Sequence, residues 1–413
     1  MVRAGYKETP KSMIPEEWAT SPLSVVGPPK MCKRVLKDQT SSEGEIPFYK
    51  IGTFGKEADA FISRSLFESF KNRFSYPKKG DILLSAAGTI GRTVVFDGRE
   101  AYFQDSNIVW LDNDEQTVLN AFLYYCYHII KWQTADGGTV SRLYNTLLSN
   151  TLIAYPTSKD EQRAIVSTLS DIDSLIMSLE KLIIKKKNIR HGIMQELLTG
   201  ERRIPGFSGK WKSVNLSKTA QIKARIGWQG LTTSEYLDDG YSLLVTGTDF
   251  ENGRINWETC HYVTKNRFDQ DPYIQLNNGD VLITKDGTIG KIAVVEGLKM
   301  PATLNSGVFV VRPLSGDYTE HFLFYVLMSN VFRKFITELM AGSTITHLYQ
   351  KDLVKFNFLV PPTKEEQDSI VEILHDMDED IRKAETLLCK YRMIKKGMMQ
   401  ELLTGEIRLV SEV

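Results

Sequence analysis

A chain of 413 residues, 42% hydrophobic and 25% charged, has the composition of a soluble globular protein and the length of two or three domains. Its 51 Lys and Arg are balanced by 51 Asp and Glu, which excludes the strongly basic character of many proteins that grip DNA unaided, while leaving room for local basic faces or for a partner that supplies phosphate contacts. No apolar run approaches the roughly 20 residues of a spanning helix and Met1-Val2-Arg3 opens no signal-peptide core, so no membrane association is expected and the cytoplasm is the expected compartment.

In chain order, the basic tail Met1–Lys11 comes first and has no later counterpart beyond Glu201–Arg203. An apolar anchoring stretch follows at Trp18–Leu23. Across about 15–155, the β-branched runs Ile82-Leu83-Leu84 and Thr93-Val94-Val95-Phe96 alternate with Gly, Asn and Asp turns, and Val118–Tyr127 has a helical pattern. Between the two runs, Gly88-Thr89-Ile90-Gly91 has strand patterns on both sides. Phosphate-cradling loops open a helix, so this string reads as a hairpin turn whose glycines supply unusual dihedrals. Arg92 is then expected to project from the hairpin as a phosphate or base contact. Thr53, Thr89, Gln104, Asn107, Thr139, Ser141 and Arg142 occupy polar, loop-rich strings and are of the types that read base edges or hold phosphates; each alone is more readily a turn residue, and it is recurrence in both halves that brings the functional reading level with that one.

From Asp160 to Thr199 apolar residues recur at Ile165, Leu169, Ile172, Ile176, Leu179 and Ile183, the spacing of an a/d seam, and Gly200 stands where a helix C-cap belongs. A helix of that length would be about 60 Å long and needs a packing partner for its seam. Lys185, Lys186, Lys187 and Arg190 form a basic segment toward its end, suited either to solvent beside the helix dipole or to DNA.

The rest of the chain repeats this plan. Trp211–Leu216 is the second anchor, Val281-Leu282-Ile283 and Ile292-Ala293-Val294-Val295 are strand runs, and Glu320–Met340 looks helical. Gly287-Thr288-Ile289-Gly290, followed by Lys291, answers the first hairpin; Thr248, Lys285, Thr288, Asn305, Ser306, Thr344, Thr346 and His347 answer the first polar set. The second seam is Ile370, Leu374, Met377, Ile381, Ala384 and Leu388, with Lys390, Arg392, Lys395 and Lys396 as its basic segment. Pro156-Thr157-Ser158-Lys159-Asp160-Glu161-Gln162 falls on Pro361-Pro362-Thr363-Lys364-Glu365-Glu366-Gln367, and Gln195-Glu196-Leu197-Leu198-Thr199-Gly200-Glu201 recurs as Gln400-Glu401-Leu402-Leu403-Thr404-Gly405-Glu406. The helical segments stay in one register while the globular parts drift, the pattern of variable recognition on a fixed scaffold. The predicted fold is α+β: two β-rich domains in a pseudo-two-fold arrangement, separated by two long antiparallel helices in a coiled coil. Its parts are 1–155, the helix and linker 156–207, 208–360, and the second helix 361–413. Helical arms that dimerise between chains are the alternative use of the seams.

The chain carries no recognisable catalytic motif. There is no GxxxxGK[ST], HExxH or GxSxG string, and no aromatic-ended NPP-type methyltransferase motif; Asp271-Pro272-Tyr273 is nearest and reads as a turn. The six histidines do not fall at ligand spacing, and Cys32, Cys126, Cys260 and Cys389 form no CxxC pair, so reduced structural thiols are expected. No catalytic centre, cofactor site or metal site is expected in this chain.

The doubled Gln-Glu-Leu-Leu-Thr-Gly-Glu, the continuation Arg203-Ile204-Pro205-Gly206-Phe207-Ser208-Gly209-Lys210-Trp211, the Pro-x-x-Lys-x-Glu-Gln helix starts and the paired Gly-Asp-[IV]-Leu…Gly-Thr-Ile-Gly hairpins resemble specificity (S) subunits of type I restriction-modification systems, over essentially the whole chain. The resemblance implies two target recognition domains, each reading half of a split double-stranded DNA sequence, with the helices as spacer. It further implies two modification (M) subunits that carry S-adenosylmethionine and methylate adenine N6, and restriction (R) subunits that use ATP and Mg²⁺ to translocate and cut. On that footing this chain is no enzyme; Gln195, Glu196, Leu197, Leu198, Gln400, Glu401, Leu402 and Leu403 close the spacer helices and help form the M-docking surface, and the weaker likeness of the globular halves implies an asymmetric target. The rival functions are a coiled-coil protein adaptor without DNA specificity and an enzyme hidden in the globular halves.

Overall fold

The computed structural model describes residues 5–9, 13–133, 142–226, 230–341 and 347–409. The chain forms two compact units, one of residues 1–179 and 387–413, the other of 180–386. Each unit therefore contains one β-rich domain, the start of the long helix that follows that domain, and the end of the other long helix. Those helices run Lys159–Thr199 and Lys364–Thr404.

The first domain is built on a sheet of four strands in the order Pro29–Lys30, Ile108–Leu111, Ile82–Ser85, Thr93–Val95. The predicted apolar run at 82–84 lies in one of its two interior strands, and a strand covered on both faces needs apolar side chains at successive positions. Period-two alternation then divides them. Ile82, Leu84, Val109 and Leu111 point into an inner core with the helix Asn120–Ile129 and the long-helix residues Ile165, Leu169, Met399, Leu402 and Leu403. Leu83, Ile108 and Trp110 point the other way, into an outer core under a second sheet of Phe61–Ile62, Ile46–Tyr49 and Tyr102–Phe103. Each such side chain, fully buried, contributes about 1.5–3 kcal/mol.

The second domain follows the same scheme. Val281, Ile283, Phe309 and Val311 enter the inner core with Met194, Leu197, Leu198, Ile370 and Leu374, while Leu282, Val308 and Val310 enter the outer one. Its main sheet has six strands, because the hairpin Phe250–Glu251 and Arg254–Ile255 extends the edge beyond Ile292–Val294. A two-stranded ribbon closes each domain at its root, Trp18–Pro22 with Leu152–Pro156 and Lys212–Asn215 with Asn357–Val360. The anchoring stretches of the sequence are these root strands.

The Glu-Gln pair at each helix start has a structural purpose. Gln162 and Gln367 are buried; Gln162 Nε2 donates to the carbonyls of Pro156 and Thr117 while its Oε1 accepts from Leu119 N, and Gln367 likewise bonds the Asp317 carbonyl and Thr319 N. Buried Glu161 and Glu366 each receive a bidentate arginine, Arg408 and Arg203, from the segment that follows the end of the other long helix. Glu161 pairs with Arg408 and Asp173 with Lys395 in the first unit, and Arg190 with Asp378 and Arg203 with Glu366 in the second, so the helix segments are antiparallel within each unit. In the second unit Lys186, Lys187 and Arg190 pair with Asp380, Glu385 and Asp378; in the first Lys395 pairs with Asp173. Lys186, Lys187, Arg190 and Lys395 of the basic segments thus meet acidic residues of the opposing helix.

One node recurs in both units. Tyr125 OH donates to Asp173, which is paired with Lys395; Tyr325 OH donates to Asp378, which is paired with Arg190. Both nodes tie a domain helix to the long helices. The predicted seam is buried at Ile165, Leu169, Ile172, Ile176, Leu179, Ile183, Ile370, Leu374, Ile381 and Ala384, with Met377 and Leu388 half-buried.

One expectation is corrected. The stretch 320–340 is two helices, Glu320–Met328 and Asn330–Ala341, parted at buried Ser329, whose hydroxyl donates to the Val326 carbonyl and accepts from Val331 N. In the N-terminal segment Tyr6–Glu8 pairs with Met13–Pro15, and Tyr6 OH donates to the Gly405 carbonyl at 2.9 Å, where a helix end leaves its carbonyls unsatisfied. No helix among the described residues is long and apolar enough to cross a membrane.

Candidate nucleic-acid interface

The loops that carry the polar strings converge at one edge of each domain. In the first, the turn Ser85–Arg92 is closed by Gly91 N–H donating to the Ser85 carbonyl, with Gly88 at φ 65° and Gly91 at φ 89° in the left-handed region that glycine tolerates. Ala86 binds loops on both sides. Its N–H donates to the Asn107 carbonyl at 2.8 Å and its carbonyl accepts from Leu143 N at 2.9 Å, which brings the 104–107 turn and Arg142 beside the hairpin. Gln104 Oε1 accepts from Ile51 N at 2.9 Å, and Arg92 donates to the Phe54 carbonyl at 3.0 Å, so the 50–55 loop joins the group.

The second domain repeats these bonds at equivalent positions. Gly290 N–H donates to the Thr284 carbonyl, Lys285 N–H to the Gly307 carbonyl, and Leu348 N–H to the Lys285 carbonyl. Asn305 N–H donates to the Val245 carbonyl, as Gln104 N–H does to that of Tyr49. Gly247 packs so closely on Thr284 that a Cβ would lie 2.8 Å from its methyl, which fixes the 246–249 turn against the same hairpin.

Side chains at the tips differ more than the backbone does. Thr89 and Thr288 are exposed at the hairpin tips, Arg142 and His347 are exposed beside them, and Lys291 and Thr248 stand in solvent. Arg92 does not project as expected: it is half-buried and spends its guanidinium on Phe54. Thr53 and Gln104 also brace loops, through Lys50 and Ile51, and Asn107 Oδ1 is buried without a partner among the described residues. Lys285 Nζ lies 5.5 Å over the Phe309 ring, and Asn305 Nδ2 donates to Tyr236 OH while its Oδ1 accepts from Ser306. Thr139, Ser141, Thr344 and Thr346 lie outside the described residues.

Sequence reading missed Arg225 and Asp286. Arg225 is 2% exposed; Nε donates to the Leu304 carbonyl and Nη2 to Thr303, Nη1 has no partner among the described residues, and burial lowers its pKa. Strand pairing puts Cys32 at the same place in the first domain, a thiol that burial pushes up to about 12. Asp286 receives a hydrogen bond from His347 where the first hairpin has Ala87. The signal available for both was a charge at one copy of an aligned repeat and none at the other.

At the helix ends, Leu197, Leu198, Leu402 and Leu403 are core residues and present no open surface. Gln400 and Glu401 are exposed and Gln195 and Glu196 half-buried, with Glu196 paired to Arg202. Among the described residues no group of three or more His, Cys, Asp or Glu is placed to hold a metal ion.

A twice-repeated β-rich domain that presents a polar loop cluster, rooted on paired long helices, defines a tandem-recognition protein. The chain belongs to the family of the type I restriction modification DNA specificity domain, whose sequence model matches residues 15–187 and 210–388. A Haemophilus influenzae protein provisionally named a type I restriction enzyme specificity subunit is 56% identical over 179 residues, which is 43% of this chain and 46% of that one. The type I restriction enzyme MjaVIII specificity subunit of Methanocaldococcus jannaschii is 25% identical over 98% of this chain and 96% of its own. In fold the chain is similar to the S subunit of a type I restriction-modification system from M. genitalium, with TM-score 0.59 and 16% identity over 94% of this chain and 96% of that one.

Proposed function

We propose that each β-rich domain reads one half of a bipartite, asymmetric double-stranded DNA target, with the first half-site read by the 50–55, 85–92, 104–107 and 142 loops and the second by their counterparts. The carrying observation is the pairing of a shared backbone frame with divergent tips: the bonds of Ala86 and Lys285 are equivalent, while Ala87 and Asp286, Arg142 and His347, and Gln104 and Asn305 differ. A rigid frame positions, and the groups at its tips specify.

The helices set the gap between half-sites and dock two methyltransferase subunits, as half-site spacing follows protein geometry in other readers. Exposed apolar side chains on the helices support this, Leu175 and Met177 in the first unit and Leu182, Ile184 and Ile189 in the second, since such side chains gain by being covered. Adenine-N6 methylation on a flipped-out base with S-adenosylmethionine, and ATP- and Mg²⁺-dependent cleavage, then belong to partner chains in the cytoplasm. The neutral charge of this chain suits that division, because the partners would supply much of the salt-dependent phosphate binding.

The test is the methylome of cells that express this chain with its methyltransferase partner. One two-part sequence with a fixed gap is expected, absent when this chain is omitted; one contiguous motif, or methylation unchanged without this chain, would overturn the reading. A helical insertion beside Thr199-Gly200 should lengthen the gap and leave the half-sites alone. A protein-only adaptor would give no sequence selectivity at all.

A further inference from the structure

The two loop clusters share their backbone bonds but differ in charge at one place. In the second domain Asp286 follows Lys285 at the hairpin shoulder, and His347 Nδ1–H donates to Asp286 Oδ1 at 2.5 Å. The histidine is itself fixed, because the next residue, Leu348, donates its N–H to the Lys285 carbonyl. Asp286 Oδ2 has no donor among the described residues, and Gly307 lies next to it, where an added Cβ would come to ordinary contact distance, 3.6 Å. Its side chain remains 36% exposed beside Thr288. In the first domain the two positions are Ala87 and Arg142, joined by a β-bridge, and Arg142 is exposed with no ion pair among the described residues.

A carboxylate on a DNA-facing edge is repelled by phosphates, so it is suited to that edge only where it faces bases. Two amino groups face the major groove, adenine N6 and cytosine N4; adenine N6 stands beside the acceptor N7, which repels a carboxylate, so cytosine N4 is the partner that suits an aspartate. We infer that Asp286 is a specificity-determining residue of the second domain, accepting a hydrogen bond from a cytosine amino group in its half-site, with His347 as its positioning residue. The inference rests on the proposal that the loop clusters are the DNA interface. Lys285 and Lys291 on the same hairpin supply the positive charge that offsets the carboxylate beside the DNA backbone.

The experiment uses the full chain with its methyltransferase partner, comparing the methylomes of wild type, Asp286→Ala, Asp286→Asn and His347→Ala. Asp286→Ala should relax one C·G position of the second half-site by about ten- to a hundredfold, with the first half-site unchanged. Asp286→Asn, nearly isosteric and so a control for folding, should move the same position toward A·T, because an amide matches adenine N6 and N7. His347→Ala should weaken discrimination at that position by a smaller factor. Unchanged preference in Asp286→Ala and Asp286→Asn, relaxation in the first half-site, or uniform loss across both halves in a normally melting Asp286→Asn protein would overturn the assignment. Exchange of the domain 15–155 separates the two levels: if it alters one half-site while the Asp286 variants alter none, only the role of Asp286 fails.

Discussion

Arg203→Ala is expected to destabilise the protein more than Arg408→Ala, although the two arginines occupy equivalent places in the repeat. Glu366 has a side chain 1% exposed and holds Arg203 through two bonds, at 2.5 and 2.8 Å. Trp211 Nε1 does not share that carboxylate, being buried without a partner among the described residues. Glu161 receives Arg408 at 3.0 and 2.8 Å and also the Trp18 indole N–H at 3.3 Å. Stranding a buried carboxylate costs about 3–5 kcal/mol. A retained hydrogen bond to a charged group offsets about 1.5–3 kcal/mol of that. Arg203 also stacks 5.7 Å from the Trp211 ring, and truncation to alanine removes that cation–π attraction as well. We therefore expect about 4 kcal/mol for Arg203→Ala and about 2 kcal/mol for Arg408→Ala, measured by urea unfolding of the full chain. Arg203→Ala with Glu366→Gln should recover part of the loss, since the stranded charge is gone. Equal losses for the two arginines, or no recovery in the double variant, would refute the reasoning.

Gly405→Ala should cost more than Gly200→Ala in the same assay: both glycines have positive φ, 76° and 74°, but the new Cβ meets Pro15 Cδ at 2.5 Å in one case and only the Trp211 ring at 3.5 Å in the other. Conformational strain alone is about 1–2 kcal/mol, so Gly200→Ala should show about that and Gly405→Ala clearly more. Asp280→Asn should destabilise, because Asp280 is buried and bidentate with Arg312, whereas Asp81→Asn should be neutral or stabilising at pH 7. Burial raises the Asp81 pKa above its ordinary value, so the folded state holds that proton more tightly than the unfolded chain; its stabilising contribution is full below about pH 3.8 and is lost as pH rises through the folded value. The gain from Asp81→Asn should accordingly vanish in melts near pH 3. Thiol titration of the native chain should find rapid reaction at exposed Cys389, because burial pushes Cys32 and Cys260 up to about 12 and raises Cys126 further, leaving little thiolate.

Much of the fold could be read from the sequence because repetition and periodicity are local properties. The seam from Ile165 to Ile183 marks a helix wherever it occurs, and two copies of it call for each other. Unbroken apolar runs at Ile82–Leu84 and Val281–Ile283 reflect a sheet covered on both faces, so those strands were legible, while the division of their side chains between two cores was not. Ser329 escaped because its buried hydroxyl breaks a helix by a tertiary arrangement that the apolar pattern of 320–340 does not encode. For the candidate interface the loops were legible and the roles of single residues were not. Gln104 and Arg92 have the chemistry of DNA contacts, yet their reach is used on Ile51 N and the Phe54 carbonyl, which no spacing in the chain reveals. Leu197 and Leu402 sit in a repeated motif that suggested a surface, but their side chains fall on the inward side of the helix. Asp286 was visible only as a mismatch with Ala87 inside an otherwise matched string.

The most direct test of two independent readers is to replace residues 15–155 with those of another specificity subunit and sequence the methylome of cells carrying the chimera and the methyltransferase partner. The account predicts that one half of the target changes, while the other half and the gap stay as they were. A change in both halves, or in neither, would contradict it.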